Sequence, residues 1–391
     1  MIVAGGTYLE TCEAPVWRRL FGSGCRAGAA LGWLSPGSSL HSYAFSGWLR
    51  DVEASMRAYG VATTLTPIPE AIHFSYFHPL SPASLAPSCP SVNAPLSVQG
   101  PAVLRFGFIE GDAVVRASHA VHDPQGGNLA AYRDNGSSAE ALAVVLNEAE
   151  AEAIAGVRGP EAGDIVRSLH AADVVVVKRG CSGARVHRSH RPAVSVPAYI
   201  SGRVFKIGSG DVFSAAFAHH WAEKGFDAVE AADIASRAAS RYVESRSLPL
   251  DLQASDDLTS TRGEPGRIYL AGPFFDIAQR WLIEEARTRL IDLGASVFSP
   301  FHDVGTVGGA QAIAAADLAG LDGCDAVLAL VDSADPGTIF EVGHARVKGI
   351  PVVALAERLG NEHLTMLSGT GCSIVEDLAS ALYHAVWASM R

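Results

Sequence analysis

Three acidic residues late in the chain, Asp317, Asp335 and Glu341, flank an apolar run, Ala326–Val331, that reads as a strand buried on both faces. Asp317 lies in the helical stretch before the run. Asp335-Pro336-Gly337-Thr338 makes a turn after it, and Glu341 falls in the first turns of the next helix. Open parallel α/β sheets bind ligands beyond the carboxyl ends of their strands. That rule places Asp335, Thr338 and Glu341 at the mouth of a cleft, with Asp317 approaching from the preceding helix. Carboxylates aimed at one cleft repel each other, and a crowded carboxyl has a raised pKa suited to giving up a proton. The plainer alternative is that Asp335 caps its helix and Glu341 is a solvated acid favoured by the helix dipole.

A second constellation is Gly208-Ser209-Gly210-Asp211, opening a helix with Val212, Phe213, Ala216, Phe217 and Trp221 on its apolar face. A glycine turn at a helix N-terminus presents unpaired N–H groups to an anion. Asp211 there is either a reacting acid or an ordinary cap. Upstream lie Asn147 and Glu150, spaced N-x-x-E at a helix start, and the apolar strand Val174–Lys178 with a hairpin partner beginning at Gly183.

The elements that must hold these groups follow from the whole chain. Its 391 residues suggest at least two domains, and 48% hydrophobic against 18% charged residues provides ample core. A net charge of −11 argues against nucleic acid or an anionic membrane as partner. Six cysteines without a CxxC pair indicate neither a zinc site nor a disulfide framework. The first residues lack a basic, apolar leader, and no apolar run approaches the ~18 residues of a membrane span, so a cytoplasmic location is expected. Met1–Gly6 reads as a buried strand into a glycine turn, and Phe21–Trp33 as a glycine turn opening a small-residue helix. Residues 64–100, rich in Pro and Ser, give mixed signals. His219-His220 reads as a surface pair and His344 as packing or support near Glu341. Val352–Leu355 reads as the last strand. Residues 251–266, polar and aperiodic, read as a linker between domains at 1–250 and 267–391.

The segment IYLAGPFF (Ile268–Phe275), then Asp317, then D-x-G-T-x-x-E-x-G ending on Glu341 and Gly343, resembles the nucleoside 2-deoxyribosyltransferase family over roughly 267–380. The resemblance implies a flavodoxin-like, doubly wound parallel sheet and a domain needing no cofactor. It implies Glu341 as nucleophile toward the sugar's anomeric carbon, Tyr269 as its orienting partner, Asp317 as proton donor near the base and Asp335 at the 5′-hydroxyl. Gly272, Phe274, Gly337 and Thr338 would line the substrate site. The residue types suit the chemistry: breaking an N-glycosidic bond builds oxocarbenium character that a carboxylate can trap, while the leaving base needs a proton. A related hydrolase of nucleoside 5′-monophosphates has serine where Asp335 stands, so a carboxylate there favours a nucleoside over a nucleotide. In this family a neighbouring subunit completes the site, which assigns that part to Asn361–Met366 and implies a homo-oligomer.

The order N-x-x-E, VVVVKRGCSGARV, GSGD resembles the PfkB, or ribokinase-like, sugar and nucleoside kinases over about 1–247. That resemblance implies a three-layer α/β domain using ATP and Mg²⁺. Asp211 would be the base for an acceptor hydroxyl and Gly208, Ser209 and Gly210 the cradle for the transferring phosphoryl group. Asn147 and Glu150 would order magnesium through water. Positioning and charge neutralisation are what phosphoryl transfer needs most. Two departures stand out: Glu10 takes the place of the family's early aspartate, and Arg26 that of an asparagine after the glycine turn. An anionic acceptor, or an inactive kinase scaffold, are both open. The chain is therefore expected to act on a nucleoside or sugar, cleaving or transferring at the glycosidic bond and phosphorylating a linked metabolite.

Overall fold

The computed structural model describes residues 1–126, 130–251 and 257–391, leaving out the side chain of Asn361. The chain divides into two compact units, Met1–Ser260 and Thr261–Arg391. The division falls inside the expected linker, whose residues 252–256 lie outside the described ones.

The first unit is built on a nine-stranded sheet. From one edge its strands run Arg191–Val196, Ala184–Arg188, Val174–Lys178, Ser138–Asn147, Ala113–Asp123, Leu96–Phe106, Ile2–Ala4, Ser39–Phe45 and Ala62–Ile68. All neighbours are parallel except in the hairpin of the first three, where Val174–Lys178 pairs antiparallel with Ala184–Arg188 as expected. One face carries the helices Gly22–Leu31, Leu49–Ala58, Ser209–Ala218 and Ala228–Ser245 on a core of small and aliphatic residues; the other carries Glu148–Ala155 and Ala162–His170. This is a three-layer α/β domain. A separate four-stranded sheet orders Trp17–Leu20, Leu9–Cys12, His73–Tyr76 and Ser84–Ala86. The strands at 62–68, 73–76 and 84–86 were not legible in the Pro-rich stretch. Pro67 sits on the outermost strand of the large sheet, where no ladder donor is lost, and the other two strands are only four and three residues long.

Two backbones meet closely where the first strand ends. The Gly24 N–H donates to the Gly6 carbonyl at 3.0 Å, and a Cβ on Gly24 would lie 2.4 Å from the Gly5 carbonyl oxygen. This approach seats the start of the helix Gly22–Leu31 against the strand and so aims Ser23 and Arg26. The histidine pair is not at the surface. His219 is buried and shares a 2.6 Å hydrogen bond with Glu223, because the chain continues as a π-helical turn at His219–Glu223 that rotates it inward.

The second unit is a five-stranded, all-parallel sheet in the order Ser296–Phe298, Arg267–Ala271, Ala326–Leu330, Val352–Leu355, Ser373–Val375. Strand 1 lies between strands 2 and 3, the doubly wound pattern with its switch point beside the carboxyl end of Arg267–Ala271. Every residue of Ala326–Leu330 is buried, as its unbroken apolar sequence requires. The helices Ala310–Asp322, Pro336–Val347 and Asn361–Gly369 cover one face; Ile277–Asp292 and Leu378–Ser389 pack together on the other. Aspartate caps start three of these helices: Asp276 accepts from Gln279 N, Asp335 from Thr338 N and Asp377 from Ser380 N. Val352–Leu355 is not the last strand. Ser373–Val375 follows it, a three-residue edge too short to show a periodic signal.

The Gly5–Gly24 contact yields a stability prediction. Gly24→Ala forces backbone apart and lowers the unfolding free energy of the first unit by about 1–3 kcal/mol. Denaturant titration of that unit's transition measures it, and an unchanged midpoint contradicts the packing described.

Candidate active sites

In the second unit the strand Arg267–Ala271 carries Tyr269 into the core, fully buried and stacked on Phe298 with ring centroids 5.5 Å apart. Its hydroxyl donates to Glu341 Oε1 at 2.6 Å. The helix that holds Glu341 begins at Pro336, with Asp335 as its cap: Asp335 Oδ2 accepts from Thr338 N at 2.8 Å and from Thr338 Oγ1 at 2.9 Å. The capping alternative for Asp335 is thus correct as structure, yet only one of its oxygens is used so. For Glu341 the solvated alternative fails. Burial pushes its carboxyl up to about 7, and the charges of Asp317 and Asp335 push the same way against the lowering hydrogen bond from Tyr269. Burial, Glu341 and Asp317 together raise the Tyr269 phenol far above its ordinary value, so it stays a donor.

Asp317, on the preceding helix, has its carboxyl raised by burial, and its Oδ1 is buried without a hydrogen-bond partner. Such an orphan oxygen is costly unless something else meets it. Tyr269, Asp317, Asp335 and Glu341 are therefore gathered at one place. Gly272 follows the strand where a Cβ would meet Ile283 and Leu330 at 3.0 and 3.1 Å. Phe274 packs on Phe301, Thr338 is buried in the cap, and Gly337 is exposed beside Asp335. His344 is turned away, pairing with Asp322 at 2.8 Å. A cavity of about 320 Å³ in this unit, lined by Pro273, Gln279, Leu330, Asp332 and Arg358, includes none of the four. The carboxylate geometry carries the site, not that cavity.

In the first unit, Arg26 is wholly buried between two acids. Its Nη1 donates to Asp211 Oδ2 at 2.6 Å, Nη2 to Glu10 Oε2, and Nε to the Tyr242 hydroxyl at 3.2 Å. Gln125 Nε2 donates to the other Asp211 oxygen at 2.7 Å. Burial raises the pKa of both acids, with Arg26 opposing. Gly208, at φ +81°, has its Cα face against the guanidinium; a Cβ there would lie 2.1 Å from Arg26 Nε. The anionic acceptor that Arg26 suggested therefore meets no free cation at that point, because both carboxylates already hold it.

Beyond the glycine turn stand two lysines. Lys178, at the carboxyl end of Val174–Lys178, pairs with buried Asp123 at 2.7 Å and would lie 3.4 Å from a Cβ on Gly210. Burial and Lys178 depress the Lys206 ammonium, which makes no hydrogen bond or ion pair among the described residues. Asn147 and Glu150 form a reciprocal capping box: Asn147 Oδ1 accepts from Glu150 N, and Glu150 Oε2 from Asn147 N, both at 2.8 Å. Burial and the charge of Asp123 raise the Glu150 carboxyl, with Lys178 and Asn147 opposing. No group of three direct metal ligands occurs among the described residues, so this pair fits magnesium only through water. Lys178, Lys206, Gln125 and Asp123 were not singled out from sequence. The strand-end rule could have found Lys178, whereas Gln125 and Lys206 carry no motif.

The raised Glu341 carboxyl has a stability consequence. Its folded pKa exceeds the unfolded one, so its ionisation costs stability as pH rises from about 4.5 through about 7. Glu341→Gln is expected to stabilise the second unit by about 1–3 kcal/mol at pH 8 and to give no gain at pH 4. Urea titrations at the two pH values check this; an equal effect at both contradicts it.

Among solved structures, a pyrophosphate-dependent kinase in the ribokinase family, complexed with a pyrophosphate analog and myo-inositol, is similar at 16% identity, covering 65% of this chain and 98% of that one, with a TM-score of 0.48. Arabidopsis thaliana ribokinase complexed with ribose and ATP is similar at 16% identity, 65% and 96% coverage and a TM-score of 0.46. Fructokinase from Vibrio cholerae O395, in fructose-, ADP- and calcium-bound form, is similar at 12% identity, 63% and 93% coverage and a TM-score of 0.46. No curated protein matches the chain. By family model, residues 124–253 match the pfkB family carbohydrate kinases and residues 268–373 match the nucleoside 2-deoxyribosyltransferases.

Proposed function

We propose that the second unit cleaves the N-glycosidic bond of a nucleoside. The observation that carries this reading is the Tyr269–Glu341 hydrogen bond set beside two further carboxylates. Glu341 attacks the anomeric carbon as the C–N bond breaks, and the departing base takes a proton from Asp317. A second base or water then attacks the same carbon, gives its proton to Asp317 and releases Glu341 as carboxylate. Tyr269 fixes the nucleophile's rotamer. It also holds the Glu341 pKa down against burial, so that a useful fraction is ionised near neutrality. The orphan oxygen of Asp317 gains its partner from the base, and the free oxygen of Asp335 accepts from the sugar's 5′-hydroxyl.

The first unit, on this reading, is a phosphotransferase in the same metabolism of nucleosides and sugars. Its acceptor hydroxyl reaches Asp211 by displacing the Gln125 amide. The Gly208–Gly210 turn, Lys178 and Lys206 face the transferring phosphoryl group. Magnesium ordered by Glu150 and Asn147 through water would neutralise charge on the donor, ATP. A second reading has the unit bind without transferring phosphate, and it is favoured by one observation: both Asp211 oxygens are already occupied.

Incubation with a deoxynucleoside panel, with and without Mg-ATP, separates these. Free base is expected under both conditions and should fall by roughly three orders of magnitude or more in Glu341→Ala. ADP formation should survive that change and vanish in Asp211→Asn. Base release untouched by Glu341→Ala would overturn the glycosidic reading, and no acceptor-dependent ADP would leave the first unit a binding module. Asp335→Ser should shift preference toward a nucleoside 5′-monophosphate by about tenfold or more, since like-charge juxtaposition costs several kcal/mol. An unchanged ratio of the two substrates contradicts the role given to Asp335.

A further inference from the structure

We infer that the cavity of the first unit is a nucleoside site rather than a simple monosaccharide site. This deepens the reading of that cavity as an acceptor pocket and is tested by binding, so a silent Asp211 does not decide it. The space is about 390 Å³, within the range of small-molecule sites. A pentose alone leaves much of it wet.

The lining combines two chemistries. Ser23, Arg26 and Asp211 come from the first turns of two helices. The Ser23 hydroxyl there is buried, 4% exposed, without a hydrogen-bond partner. It is a donor and acceptor awaiting a hydroxyl. Aromatic side chains line the same space. Phe74 and Tyr76 come from the four-stranded sheet, Phe108 from the turn after Leu96–Phe106, and Tyr8 rests against Phe74 with centroids 5.1 Å apart. Aromatic side chains beside an unpaired hydroxyl fit a flat base joined to a hydroxylated ring, because base–aromatic stacking tolerates any base.

Charge agrees. Glu10 and Arg26 pair, Arg26 also holds Asp211, and Lys206, which makes no hydrogen bond or ion pair among the described residues, stands by the glycine turn. The body of the cavity thus sets two carboxylates against one guanidinium, and the cation not already paired lies at the turn. That selects an uncharged ligand in the pocket and an anion only at the turn, as for a nucleoside facing a phosphoryl donor.

The test uses the intact chain carrying Glu341→Ala, which preserves the nucleoside, in calorimetric titrations with a purine nucleoside, a pyrimidine nucleoside and ribose. At least one nucleoside is expected to show a binding step that Phe74→Ala weakens roughly tenfold and Phe74→Tyr retains. Ribose should bind weaker than that nucleoside and be indifferent to Phe74. Ser23→Ala should weaken the same nucleoside step. Any step from the second unit does not respond to Phe74 or Ser23, so its absence would count against the glycosidic reading and leave this inference standing. Nucleoside titrations identical in the parent, Phe74→Ala and Ser23→Ala overturn the inference, as does ribose binding as tightly as the nucleoside at the Phe74-dependent step.

Discussion

The hydrogen bond from Tyr269 to Glu341 is the constraint on which the second unit turns. A carboxyl taken out of water and set near two other acids is driven toward its protonated form. Without a fixed donor it would be neutral at physiological pH and free to rotate away. The phenol supplies that donor, and it can do so because the strand buries its ring while the turn after Ala326–Leu330 brings the Glu341 helix back to the same sheet edge. The parallel sheet, the cap at Asp335 and the stacking on Phe298 all serve that meeting of two side chains.

The two units handle buried acid differently. In the second, Glu341 and Asp317 are raised by burial, and Asp317 keeps one buried oxygen without a partner. In the first, Arg26 sits between Glu10 and Asp211 and pairs with both. Removing a partner from such a buried set costs about 3–5 kcal/mol, because the remaining charges stay behind unpaired. Arg26 is therefore part of the core as much as of the site. Its presence explains how two buried acids coexist beside the glycine turn.

Much of this was legible in the chain. The unbroken apolar run Ala326–Val331, the turn at Asp335–Gly337 and the position of Glu341 as the sixth residue of the next helix gave both the parallel strand and the acid cluster. The GSGD turn and the Val174–Lys178 hairpin were equally plain. What escaped has physical reasons. Three-residue strands such as Ser373–Val375 lack periodicity, Pro67 masked an edge strand, and a π-turn moved His219 from surface to core. The role of Arg26 depended on contacts 185 and 16 residues away along the chain, which no local pattern encodes. Lys206 and Gln125 enter the site for the same long-range reason.

The central claim is that Glu341 bonds covalently to a sugar's anomeric carbon. Mass spectrometry of the intact chain, mixed briefly with a 2′-deoxynucleoside and quenched in acid, tests it most directly. The account predicts a fraction of chains heavier by one deoxyribosyl group, carried on the peptide that contains Glu341 and absent from the Glu341→Ala chain. Base release with the adduct on another residue, or with no adduct at any quench time, would contradict it.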